Sequence, residues 1–151
     1  MKSPHFLIAQ IFRPLTALFC MTLIALPAYA EQMKQFGQYE VHYIAIPTTF
    51  LQPEVAHKYN LTRASNRLLI NVSILDQGDP VAAQVTGFAR NLLSQSKDLT
   101  FTEVREGPAI YYIASMTHSA EDHQNFEINV TLPDGSQGQV KFHQKVFLGD
   151  E

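Results

Sequence analysis

The sequence predicts an all-β domain: an antiparallel β-sandwich of about seven strands, with one short helix between strands one and two. Three observations point there. Apolar side chains recur with a period of two along most of the chain, so that one set faces a core and the other faces away. Turn-forming residues punctuate that rhythm at intervals of about ten residues. One segment stands out as a helix, although the small residues of Val81 to Asn91 would also suit one. Together these features describe an immunoglobulin-like sandwich, although the Cys-Trp-Cys hallmark of antibody domains is missing because the chain has no Trp.

In the first strand, from about Phe36 to Ile46, Val41, Tyr43 and Ala45 alternate with Glu40, His42 and Ile44. The helix follows. Pro53 stands in a first turn, where its missing N–H costs little, and Glu54 complements the positive end of the helix dipole. Val55 and Tyr59 fall four apart on one face, and Asn60 is a plausible stop. The second strand is the clearest: Leu68, Ile70, Val72 and Ile74 alternate with Arg67, Leu69, Asn71 and Ser73. Asp76 to Pro80 is a turn by composition, and Val81 to Asn91 alternates again as a third strand. Leu99 to Arg105 and Ala109 to Thr117 make two more, joined across Glu106-Gly107-Pro108. Phe126 to Leu132 and Gln139 to Phe147 form the strongest hairpin, around Asp134-Gly135.

The first thirty residues read as a secretory signal peptide, leaving residues 31–151 as a single domain. Lys2 and Arg13 make a basic leader, Leu15 to Leu26 is almost wholly apolar, and Ala28-Tyr29-Ala30 supplies the small residues of a cleavage site. An apolar run of about a dozen residues is too short to span a bilayer, which takes about 20. A periplasmic location, with no membrane span after cleavage, is therefore expected. Cys20 lies mid-way through the apolar run behind bulky Phe19, which argues against a lipid anchor, and it leaves with the leader. The mature domain then has no thiol and no disulfide, and its stability rests on its core.

Cleavage removes two of the 11 Lys and Arg and none of the 14 Asp and Glu, so the net charge falls from −3 to near −5. An acidic domain without a basic run is a poor partner for nucleic acid or anionic lipid. Catalytic signals are equally sparse. No serine sits in a G-x-S-x-G elbow, no glycine-rich phosphate loop is present, and the Glu103 and Glu106 pair is explained by a solvated strand end. A non-enzymatic protein without a cofactor is the expectation.

The residues singled out for ligand binding are Tyr43, Arg63, Arg67, Asn71 and Tyr112. The segment Asn60 to Arg67 places two arginines among amides and hydroxyls, and a guanidinium suits bidentate capture of an anion. Tyrosines would supply walls. The simpler account has Arg63 and Arg67 bonded to carbonyls at the helix end or paired with Glu54 and Glu40. The alternative function is a metal-dependent hydrolytic enzyme built on His118, Glu121 and His123, since imidazole and carboxylate together hold zinc. A polar loop carries such residues for solvation alone. The expected partner is a periplasmic protein segment added at a strand edge, or a small anion; the expected state is a monomer or weak homodimer.

Four runs also carry a family resemblance: Phe36 to Tyr43, Thr49 to Ala56, Arg67 to Ser73, and Tyr111 to Ala114. They resemble a family of small exported proteins of Gram-negative bacteria classed as a domain of unknown function. The Thr-Phe-Leu-Gln-Pro-Glu-Val-Ala run is the most specific part. The resemblance implies export and a single domain, and it carries no activity or catalytic residue.

Overall fold

Two-residue alternation becomes register in the computed structural model, which describes residues 32–119 and 121–148 without the side chains of Glu121 and Asp122. The proposed leader, residues 1–30, lies outside the described residues. In chain order the elements are β1 (Gln32–Phe36), β2 (Tyr39–Pro47), a 3-10 turn (Thr48–Phe50), α1 (Pro53–Lys58), β3 (Arg67–Asp76) and β4 (Asp79–Pro80). There follow β5 (Gln84–Asn91), β6 (Ser96–Leu99), β7 (Thr102–Glu106), β8 (Ala109–Thr117), β9 (Glu121–Thr131) and β10 (Gln137–Phe147).

These strands form two antiparallel sheets. One has the order β1-β2-β3-β8-β7, with β4 hanging off β3; the other has the order β10-β9-β5-β6. Lettering the seven sequence-predicted strands A to G gives A-B-E-D against G-F-C, the strand order of immunoglobulin-type sandwiches. Three further strands, β1, β4 and β6, extend that set.

The first segment is longer than expected and divides at a tight turn, where Gly37 takes a φ of +59°. The predicted strand from Leu99 to Arg105 is two strands, because the chain crosses from one sheet to the other at Thr100 and Phe101. A second tight turn, with Gln77 at φ +51° and Gly78 at +93°, folds β4 back on β3. Both dihedrals are positive, as a type I′ turn requires.

The core is the set that the alternation selects. Val41, Leu68, Ile70, Val72 and Ile74 from the first sheet meet Phe126, Ile128, Val130 and Val140 from the second, and all are fully buried. Each such side chain stabilises the fold by about 1.5–3 kcal/mol through removal of apolar surface from water. Outward positions on β3 are Arg67, Leu69, Asn71 and Ser73; Leu69 is buried there too. An apolar side chain on the polar face needs a cover, and the helical segment that follows β2 passes over it.

Candidate functional site

α1 is six residues long and begins with Pro53 at its first position and Glu54 in its first turn. It ends in a left-handed residue, Asn60 at φ +52°, and the Leu61 N–H then donates to the Ala56 carbonyl at 2.8 Å. That closure satisfies an end carbonyl and turns the chain back over the sheet. Ala56 is buried against the fold. Thr48, wholly buried, pins the returning loop: its Oγ1 accepts from the Ala64 N–H at 3.1 Å and donates to the Ala64 carbonyl at 3.3 Å.

Between this helical segment and the outer face of the first sheet lies an open cleft of about 190 Å³. Leu51, Val55, Tyr59 and Leu61 form its helical wall. Leu69, Tyr111, Ile113 and Val104 form its sheet floor, with Asn71 and Glu106 as the polar members. One side is tied across: Lys58 Nζ and Tyr59 Oη both donate to Glu106 Oε1. Lys58 also lies 5.1 Å from the Tyr59 ring centroid, a cation–π arrangement.

Asn71 is the unusual member. Its Oδ1 is buried and has no hydrogen-bond partner among the described residues. A carbonyl oxygen taken from water without a partner costs about 1–3 kcal/mol.

The five sequence-singled residues do not share a cleft. Tyr43 and Tyr112 belong to the inward-facing sets of β2 and β8. Tyr43 packs 4.9 Å from the Phe142 ring centroid. Tyr112 is buried; its Oη accepts from the Ala83 N–H at 2.8 Å and donates to Glu103 Oε2 at 3.1 Å. Burial raises the Tyr112 hydroxyl above the ordinary tyrosine value, with Glu103 adding to the rise. Glu103 is held below the usual carboxylate range by its bond from Arg105 Nε at 2.6 Å, and then by Tyr112. Neither tyrosine lines the cleft. Arg63 donates to the Thr49 carbonyl at 3.0 Å, as the simpler account expected of a carbonyl near the helix. Arg67 Nη1 donates to Ser115 Oγ at 3.3 Å, while its Nε is buried without a partner. Asn71 alone of the five lines the cleft.

The residues that accompany it were missed as a site, although two signals existed. Val55 and Tyr59 share a helix face, and Leu69, Ile113 and Tyr111 interrupt the outward polar sets of β3 and β8.

For the metal alternative, His118 is buried with Nδ1 2.6 Å from the Ser119 carbonyl oxygen. His123 lies on β9 opposite Lys145 of β10, and the Glu121 side chain falls outside the described residues. Among the described residues no group of three His, Cys, Asp or Glu is placed to hold a metal ion.

The fold has known counterparts. A crystal structure of a DUF4426 family protein from Pseudomonas aeruginosa is 34% identical, with a TM-score of 0.72 over 80% of this chain and 97% of that one. A copper-bound variant of FetP from uropathogenic Escherichia coli strain F11 has a TM-score of 0.54 at 11% identity, over 78% of this chain and 95% of its own. FetP of the same strain, as isolated after expression in the periplasm, gives 0.50 at 11% identity, over 80% and 96%. At that identity the likeness to FetP is one of fold alone. No curated protein matches the sequence. The model of the domain of unknown function DUF4426 matches residues 33–149, and this chain belongs to that family.

Proposed function

We propose that this protein is a non-enzymatic accessory or binding module of the periplasm, an immunoglobulin-like sandwich that takes an apolar partner segment into the cleft beneath α1. One observation carries the reading: an open cleft lined almost wholly by apolar side chains lies between the helical segment and the outer face of the first sheet, with Asn71 and Glu106 as its polar members. Pockets that recognise ligands combine apolar walls with a few placed polar groups. Among the described residues the cleft lining holds no Ser, Thr, Cys or His, so binding fits its chemistry better than turnover.

The test is to pan a random 12-residue peptide library against the mature domain and against an Ile113→Glu variant. Sequences with alternating apolar residues, recovered only on the unaltered cleft, are the expected result; no convergent sequence overturns the reading. Export is tested separately by intact-mass measurement of the cell's product, which is expected to lack residues 1–30. The hydrolytic alternative on His118, Glu121 and His123 requires bound metal, so elemental analysis of the purified protein decides against it if no transition metal is found.

A further inference from the structure

The sheet beside the cleft is interrupted, and this deepens the reading above by giving its occupant a form. β8 spans Ala109–Thr117, but β7 pairs with it only over Ala109–Ile113. On that flank Ala114 to Thr117 have no strand partner among the described residues, although β3 pairs with the same residues on the other flank. The chain leaves the sheet here: β6 is paired to β5 in the opposite sheet, and β7 joins β8 only at Thr102.

A side chain stands in part of the gap. Lys97 Nζ reaches over from β6 and donates to the Thr117 carbonyl at 2.8 Å and to its Oγ1 at 3.1 Å. A neighbouring strand would offer a backbone N–H to that carbonyl. In an antiparallel strand, every second residue turns its N–H and C=O to the same flank, so Ser115 faces the gap with Thr117. Alongside is an open hollow of about 490 Å³ that includes Thr100 and Ser115. It is continuous with the cleft, since Tyr59, Leu61, Val104 and Ile113 border both.

We propose that an extended segment of a partner protein pairs with β8 beside Ser115 and Thr117, in line with β7, and sends an apolar side chain beneath α1 into the cleft. The inference rests on the cleft reading and commits it to β-strand addition. An unpaired strand edge offers donors and acceptors at the spacing of another backbone, and alternate side chains of an added strand all face one way. A compact small molecule would satisfy the cleft and leave the edge unused.

The probe is a peptide recovered by panning, resynthesised with N-methyl groups placed one at a time. N-methylation deletes a single main-chain donor and leaves the side chains in place. The expected result is a loss of about five- to tenfold at alternate residues and little change between them, the worth of one hydrogen bond at each affected position. On the protein side, Ser115→Pro, which lacks the N–H, is expected to weaken binding while Ser115→Ala retains it. Uniform tolerance of N-methylation, with binding still abolished by Ile113→Glu, overturns strand addition and leaves the cleft reading standing. Binding that survives Ile113→Glu as well overturns both, and so does a library that yields no convergent peptide.

Discussion

The Phe36 ring lies over the Cα of Gly138, so close that a Cβ on the glycine would stand 2.9 Å from two of its carbons. Phe36 ends β1 at one edge of the first sheet, and Gly138 is the second residue of β10 at the edge of the second. Lys34 Nζ donates to the Gln139 carbonyl at 3.0 Å along the same seam. The two sheets are thus fastened along one side. The opposite side, where β6 and β7 divide between the sheets, holds the hollow beside β8.

The glycines give a graded prediction. A Cβ at Gly87 would meet the Glu127 carbonyl oxygen at 2.6 Å and the Ile128 Cα at 3.2 Å, both backbone atoms of the central strand β9. Overpacking of that kind costs about 1–3 kcal/mol, more than the 0.4–1 kcal/mol or so that a Gly→Ala change returns through the unfolded chain. Gly87→Ala is expected to be clearly destabilising in urea denaturation. Gly138→Ala meets a side chain that is able to swing, and its cost is expected to be smaller.

Asn71→Leu is expected to raise stability by about 1 kcal/mol, because it removes a buried acceptor that lacks a partner and adds apolar contact. The same substitution is expected to weaken the panned peptides. Thermal denaturation and peptide titration on one preparation check both halves. A variant less stable than the parent means that the oxygen is satisfied in solution.

Tyr112→Phe deletes one hydroxyl, which strands the Ala83 N–H and removes a donor from Glu103 Oε2. Loss of a buried partner costs about 1–3 kcal/mol. The midpoint of denaturant unfolding is expected to fall accordingly, with an unchanged slope.

Acid sensitivity follows from Glu103 and Asp134. Glu103 is held below its unfolded value by Arg105 and then Tyr112, and Asp134 by the Ser136 hydroxyl and N–H. A carboxylate whose folded value is depressed stabilises the fold above its unfolded value, near pH 4, and that contribution is lost as pH falls through the folded one. Glu103→Gln is therefore expected to flatten the decline in stability between about pH 5 and pH 2. Unfolding midpoints across that range check it; parallel curves for parent and variant count against it.

Much of the sheet framework was legible because burial has a period in a strand. Leu68, Ile70, Val72 and Ile74 were assigned to the core by alternation, and all four are buried. Asn60 was read as the helix stop, and it takes the left-handed conformation that ends α1. The crossing at Thr100 and Phe101 was not legible, since a strand that changes sheets keeps the same local pattern on both sides of the change. The split of the first segment at Gly37 was missed for a related reason: a two-residue turn scarcely interrupts the run of extended residues.

The site shows the limit more sharply. Tyr43 and Tyr112 had the right chemistry for a binding wall, yet the pleat turns both toward the core, where Phe142 and Glu103 engage them. Asn71 is two residues from a buried leucine on an outward face, and only the return of the chain through α1 makes that face a floor.

From the sequence by itself came the all-β class, most of the strands, the helix and its stop, because each depends on neighbours within a few residues. The tertiary structure alone decided which polar groups meet, which strand edge stays open and which amide is left without a partner. Those outcomes depend on side chains brought together across tens of residues by sheet order, and no local pattern encodes that order.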